Sequence, residues 1–72
     1  MVDVYKRKGL VVQEVINKVK VMKDQDTIER AVLYEIVLIN GFNNKLFDEI
    51  IKHLQNLGMI QLIGNDLIKR VV

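Results

Sequence analysis

Cysteine, serine, proline and tryptophan are absent from this 72-residue chain, and threonine and histidine occur once each, as Thr27 and His53. Without cysteine, no disulfide can supplement the core, and one histidine cannot build a metal site by itself. The usual nucleophiles of covalent catalysis are nearly missing too. We therefore expect a protein that is not an enzyme and that needs no cofactor and no metal.

The remaining candidates for catalytic chemistry have simpler interpretations. His53 follows Glu49 by four residues and flanks the apolar side of a predicted helix, as a structural or surface histidine would. Asp48 and Glu49 are adjacent, and adjacent helical residues point about 100° apart, which makes a poor metal chelate. We expect these two carboxylates to pair with Lys52 and Lys45. The four glycines are interpreted as ends of elements rather than as a phosphate-binding loop.

The chain has a large aliphatic content for its size. It holds eleven valines, nine isoleucines and eight leucines but only two tyrosines and two phenylalanines. A single domain this short buries only roughly 60% of its unfolded surface. Small scaffolds therefore need tight packing or a partner subunit. The aliphatic surplus favours a chain that covers part of its surface with another copy, as a homodimer.

Long hydrophobic runs are also missing. The longest apolar stretch, around residues 31–39, is interrupted by Glu35 and falls short of the roughly 20 residues of a membrane span. The N-terminal residues lack the apolar core and cleavage site of a signal peptide. These features predict a cytoplasmic protein with no membrane partner. The many valines, isoleucines and lysines are also typical of a protein from a thermophile.

The charge is small overall but unevenly distributed. The net charge is +2, with a surplus of basic residues in segments 1–23 and 50–72 and a surplus of acidic residues in 24–49. Basic surfaces attract phosphate groups. The alternative interpretation is ordinary solvated surface charge.

The first third of the chain contains one predicted helix. Residues 2–8 alternate and then become basic, which indicates an edge strand or a flexible arm that Gly9 ends. Residues 10–23 have the spacing of an amphipathic helix. Its buried face is predicted to consist of Val12, Val15, Ile16, Val19 and Met22.

A second helix is predicted over residues 27–39. Asp26 and Glu29 have the spacing of a capping box. The helix is apolar nearly all round, which is typical of a helix that is buried on all sides. In so small a domain this predicts a central helix, a dimer contact made by the first two helices, or both.

The third predicted helix, over residues 44–57, has the clearest pattern. Asn43 or Asn44 is suited to cap it, and Gly58 ends it. Its apolar face consists of Phe47, Ile50, Ile51, Leu54 and Leu57. Residues 59–72 then form two apolar runs around Gly64-Asn65-Asp66, which predicts a β-hairpin.

The end of this helix resembles the recognition helix of the winged helix-turn-helix superfamily, where an apolar-x-x-Leu-x-x-Leu-Gly-x-Ile pattern leads into the wing. The matching residues are Phe47, Ile51, Leu54, Leu57, Gly58, Met59 and Ile60. The resemblance implies a mainly α domain of three helices with a C-terminal hairpin, similar in size to small regulators of archaea and their viruses. Only residues 41–43 separate the last two predicted helices. Either residues 10–23 are the first of the three helices, or the short middle helix is missing.

The resemblance implies binding to double-stranded DNA in transcription regulation. The candidate contacts are Asn43, Asn44, Lys45, Lys52, Gln55 and Asn56 on the helix, Lys69 and Arg70 on the wing, and Lys6, Arg7 and Lys8 on the arm. Asp48 and Glu49 oppose it, because they lie on the same helix and repel phosphate. The alternative is a winged-helix module that binds a protein partner and has no nucleic-acid role.

Overall fold

The computed structural model describes residues 3–71. Over that range the chain forms three helices and a three-stranded antiparallel sheet. The elements are α1 (Val4–Lys20), β1 (Thr27–Glu29), α2 (Arg30–Ile39), α3 (Asn44–Asn56), β2 (Ile60–Ile63) and β3 (Leu67–Arg70). The strand order is β1-β3-β2, so the C-terminal hairpin lies beside the short strand between the first two helices. This mainly helical, winged-helix-like layout confirms the predicted fold class.

The first helix begins much earlier than predicted. Asp3 accepts hydrogen bonds from the backbone nitrogens of Tyr5 at 2.9 Å and Lys6 at 3.4 Å, and thereby satisfies the free donors of the first turn. The expected strand or arm over residues 2–8 is therefore wrong from residue 4 onward, and residue 2 lies outside the described range. Gly9 lies inside the helix instead of ending it, and the helix ends at Lys20 rather than at residue 23.

The start of the second predicted helix is a strand. Thr27 pairs with Lys69, and Ile28 pairs with Ile68, in the antiparallel ladder between β1 and β3. The capping box is wrong as well, because Glu29 occupies the N-cap position of α2 and its side chain makes no capping bond within residues 3–71. Pairing with a strand distant in the sequence overrides the local helical signal. The first helix is thus the first of three, and α2 is the middle one.

The core lies where the three helices meet the inner face of the sheet. Phe47 and Leu54 are fully buried, which confirms their prediction as core residues. Leu57 was predicted on the same face but is 58% exposed, because α3 ends one residue before it. The buried residues are Val11, Val15, Val19, Leu33, Ile36, Val37, Leu46, Phe47, Ile50, Ile51, Leu54, Ile60 and Ile68.

Helix α2 is buried on one side only. Leu33, Ile36 and Val37 face the core, whereas Ile39 is 74% exposed. Val32 and Leu38 are also exposed. Within one chain, the prediction of a helix buried on all sides is therefore wrong, because the sheet and the other two helices cover only the inner half of it.

The ends of α3 follow the predicted residues. The side chain of Asn43 accepts a hydrogen bond from the backbone nitrogen of Lys45 at 3.1 Å. At the other end, Gly58 has a φ of +72°, and the backbone nitrogen of Met59 donates to Leu54 at 3.1 Å. This left-handed glycine with its returning hydrogen bond turns the chain into β2. Among residues 3–71, none of the helices has the length and apolar character needed to cross a membrane.

Candidate nucleic-acid interface

The solvent face of α3 carries a line of polar side chains. Because α3 buries Leu46, Phe47, Ile50, Ile51 and Leu54, the opposite side of the helix is turned to water. Lys45, Lys52 and Asn56 lie at the centre of that side, within about 40° of one another around the helix axis. All three are exposed. We call these three residues the α3 polar line.

The two carboxylates of α3 flank the α3 polar line and pair with cations from other helices. Asp48 lies 3.5 Å from the guanidinium of Arg30, and Glu49 lies 3.5 Å from the ammonium of Lys8. The expected pairing with Lys52 and Lys45 is therefore wrong. Because both pairs are largely exposed, each contributes little to stability. They do balance the negative charge of α3 locally.

Arg30 connects three parts of the molecule. Its backbone nitrogen donates to the carbonyl of Asp66 in the wing turn at 2.7 Å. Its guanidinium lies 4.9 Å from the centre of the Phe47 ring and reaches Asp48 on α3. Sequence reasoning missed this residue, because the strand before α2 was interpreted as part of a helix. Arg30 is distinguished by its position as the first residue of the shortened helix α2.

A groove extends from Arg30 to the wing turn. It has a volume of about 430 Å³ and lies between the beginning of α2 and the hairpin. Its lining consists of Glu29, Arg30, Ala31, Tyr34, Asn65, Asp66 and Leu67. Arg30 therefore lines the groove beside the wing turn and also contacts Asp48 on α3.

Two of the predicted cations have structural contacts instead. Arg7 donates to the carbonyl of Asn40 at 2.8 Å and lies 5.6 Å from the centre of the Phe42 ring. Arg70 donates to the carbonyl of Val19 at 3.1 Å. Both carbonyls lie at helix C-termini, where a positive charge is favourable, and the Val19 carbonyl also accepts from the backbone nitrogen of Met22. These arginines tie α1 to α2 and to the sheet.

The other predicted residues are distributed over several surfaces. Asn43 is occupied as the cap of α3, whereas Asn44 and Gln55 are exposed at the edge of α3 nearest Asp48. Lys6 is exposed on the first turns of α1. Lys69 pairs with Thr27 and Gln61 on the outer face of the sheet, because its neighbour Ile68 points into the core. The candidate interface therefore consists of the exposed face of α3 together with Lys8 and Arg30.

His53 is exposed beside a groove between α1 and α3. Within the described part of the chain, no group of three or more histidine, aspartate or glutamate side chains is arranged to hold a metal ion. No protein-family model, curated protein or solved structure matches the chain. The winged-helix-like layout is therefore a description of this chain's own element order and sheet topology.

Proposed function

We propose that this protein is a small DNA-binding regulator of the winged helix-turn-helix type, which acts in the cytoplasm and inserts α3 into the major groove. The observation that carries the proposal is the α3 polar line, formed by Lys45, Lys52 and Asn56. The exposed amide of Asn56 is suited to a base edge, and the two ammonium groups are suited to phosphates.

The ion pairs of α3 remove the strongest objection to DNA binding. Asp48 and Glu49 alone would repel the phosphate backbone. Because Arg30 and Lys8 lie beside them, the surface around α3 carries four cations and two anions, a net charge of +2. The backbone nitrogen of Arg30 also donates to Asp66 in the wing turn. This surface therefore favours an approach to a polyanion.

A titration of random-sequence duplex DNA by fluorescence anisotropy at several salt concentrations tests the proposal. Replacing Lys45 and Lys52 together with alanine should lower the slope of log affinity against log salt by up to about two, since each phosphate contact contributes roughly 0.9. The matched control removes Lys18 and Lys20, which have the same charge and are exposed on α1, outside the candidate contacts. Equal losses of slope in both double variants would contradict α3 as the interface.

Neutralising the acids gives a second test, in which DNA and protein partners predict opposite results. Asp48→Asn with Glu49→Gln should strengthen non-specific DNA binding, because Lys8 and Arg30 lose their anionic partners. In a separate variant, Asn56→Ala, the DNA sequence preference should change by roughly 1–3 kcal/mol at one base pair. For a protein partner that contacts the acids, the same neutralisation should weaken the complex.

The alternative function is a protein-interaction module, favoured by the exposed apolar residues Val32, Leu38 and Ile39 of α2. Large exposed aliphatic side chains on one helix are typical of a protein contact. If the wild type shows no salt-dependent binding to duplex DNA, and the neutralised variant gains none, the DNA proposal fails. The interaction module then becomes the leading function.

A further inference from the structure

An apolar stripe runs along the side of α1 that adjoins α3. It consists of Tyr5, Gly9, Val12 and Ile16, whose spacing of four, three and four residues keeps them within about 60° around the helix. Tyr5 is 85% exposed, and Gly9 is exposed as well. Val12 and Ile16 are half-buried and pack against the edge of the core. We call these four residues the α1 stripe.

Packing within residues 3–71 does not require a glycine at position 9. It lies in the interior of a 17-residue helix, where glycine is less favourable than alanine. A Cβ atom added there would meet nothing within 4 Å in the described chain, so no neighbouring segment requires a glycine. A missing side chain at an exposed helical position does allow a second backbone to approach closely.

The α1 stripe continues into a shallow apolar groove. This groove, of about 280 Å³, lies between α1 and α3 and is lined by Lys8, Val12, Leu46, Glu49, Ile50 and His53. The Lys8–Glu49 ion pair lies at its edge, whereas Lys45, Lys52 and Asn56 do not line it, so the α3 polar line stays uncovered. Helix face and groove together form one surface on which an apolar helix can lie.

We infer that a second copy of this chain docks on the α1 stripe, with the two α1 helices antiparallel. The spacing of the stripe is the same in both directions, so a copy related by a two-fold axis presents a matching row. Tyr5 then packs on Ile16 of the partner subunit, and Gly9 packs on Val12 of the partner subunit. The largest side chain meets the far end of the stripe, and the glycine leaves room where the helices cross.

Tyr5 supplies part of the apolar area that a small dimer interface needs. A buried tyrosine contributes roughly 150–250 Å². Two copies of Tyr5 therefore supply roughly 300–500 Å², a substantial part of the roughly 1,200 Å² at the low end of specific interfaces. The outer face of α2 is less suitable, because Glu35 lies between Leu38 and Ile39 and would be buried there with no ion-pair partner among residues 3–71.

Sedimentation equilibrium of the full chain tests the dimer. The wild type should have twice the 8.4 kDa mass of one chain at micromolar concentrations. Tyr5→Glu and Gly9→Glu should each raise the dissociation constant by about 30-fold or more, since Tyr5 is the largest side chain of the stripe and Gly9 lies where the helices cross. Leu10→Glu is the matched control, since it introduces the same charge on another side of α1 and should change the constant by less than about threefold.

A loss of folding is distinguishable from a loss of the contact. Glutamate favours helix more than glycine does, so Gly9→Glu should retain full helicity by circular dichroism. Its melting temperature in dilute, monomeric solution should equal or exceed that of the wild type. A variant that is folded and monomeric therefore reports on the interface itself.

Disulfide trapping tests the antiparallel direction, because the chain has no cysteine of its own. A mixture of Gly9→Cys and Val12→Cys chains should cross-link. Tyr5→Cys chains should not, since antiparallel pairing separates the two positions by about 16 Å along the axis, beyond the roughly 7 Å that a disulfide spans between Cα atoms. A monomeric wild type at high micromolar concentration would overturn the inference. So would efficient Tyr5→Cys cross-linking, or a dimer that survives Tyr5→Glu but dissociates with Leu10→Glu or Ile39→Glu.

Discussion

Helices α2 and α3 are neighbours in the fold but differ in how their residues are divided between core and solvent. Helix α3 buries five apolar residues on one side and carries polar side chains on the other. Helix α2 buries three residues, and its outer side is also largely apolar. Periodicity therefore predicts the start of α3 and four of its five buried residues, whereas α2 offers no contrast from which to predict its orientation.

The two helices also begin differently. Helix α3 begins at a local cap, the side chain of Asn43. Helix α2 begins where β1 ends, and the backbone nitrogen of Arg30 in its first turn is bound by Asp66 of the wing turn. The start of α3 therefore depends on neighbouring residues, whereas the start of α2 depends on the position of the hairpin. Four predictions test this difference.

The largest expected effect is in the core face of α3. Phe47→Ala or Leu54→Ala should lower the free energy of unfolding by about 2–5 kcal/mol, since each removes a fully buried side chain. The control is Ile39→Ala on the exposed side of α2, which should change stability by less than about 0.5 kcal/mol. Denaturant unfolding at a protein concentration at which the chain is monomeric measures both. Similar losses in the two helices would show that the outer face of α2 is covered.

The next effect concerns the end of α3. Gly58→Ala should cost about 1–2 kcal/mol, because Gly58 has a φ of +72° and alanine is strained there. Space is not the cause, since an added Cβ would meet nothing within 4 Å in residues 3–71. Gly9→Ala is the matched control and should stabilise the monomer by about 0.5–1 kcal/mol. Thermal unfolding in dilute solution measures both, and a change of the same sign would contradict the assigned conformations.

A smaller effect compares the starts of the two helices. Asn43→Ala should destabilise the protein by about 1 kcal/mol, because it removes a side-chain cap. Glu29→Ala at the equivalent position of α2 should have an effect close to zero, since that side chain makes no capping bond in the described range. Chemical denaturation with a common slope distinguishes them. A larger loss of stability for Glu29→Ala would indicate that this residue supports the groove between the beginning of α2 and the hairpin.

The smallest expected effect is on the ion pairs. Asp48→Asn should change the free energy of unfolding by less than about 1 kcal/mol, because the pair with Arg30 is largely exposed. The same variant should bind duplex DNA more tightly. Unfolding and anisotropy measurements on one preparation check both. A large loss of stability with no change in binding would make the pair a structural contact only.

The elements of secondary structure whose signals are local could be predicted from the amino-acid sequence. The apolar spacing of α3, its cap at Asn43, its reversal at Gly58 and the hairpin turn all depend on residues within a few positions of one another. For the same reason, the periodicity of α3 was enough to predict Lys45 and Lys52 on its solvent side.

The contacts between segments distant in the sequence depend on the folded chain and could not be predicted from local patterns. Strand β1 exists because β3 offers it hydrogen bonds, which outweigh the helical pattern of residues 27–29. Arg7 and Arg70 have the charge expected of DNA contacts, but each donates to a carbonyl at the end of a helix. Lys8 and Arg30 pair with the two carboxylates of α3. A charged side chain takes the nearest partner in space, and spatial proximity between separate helices is not encoded in the spacing along either one.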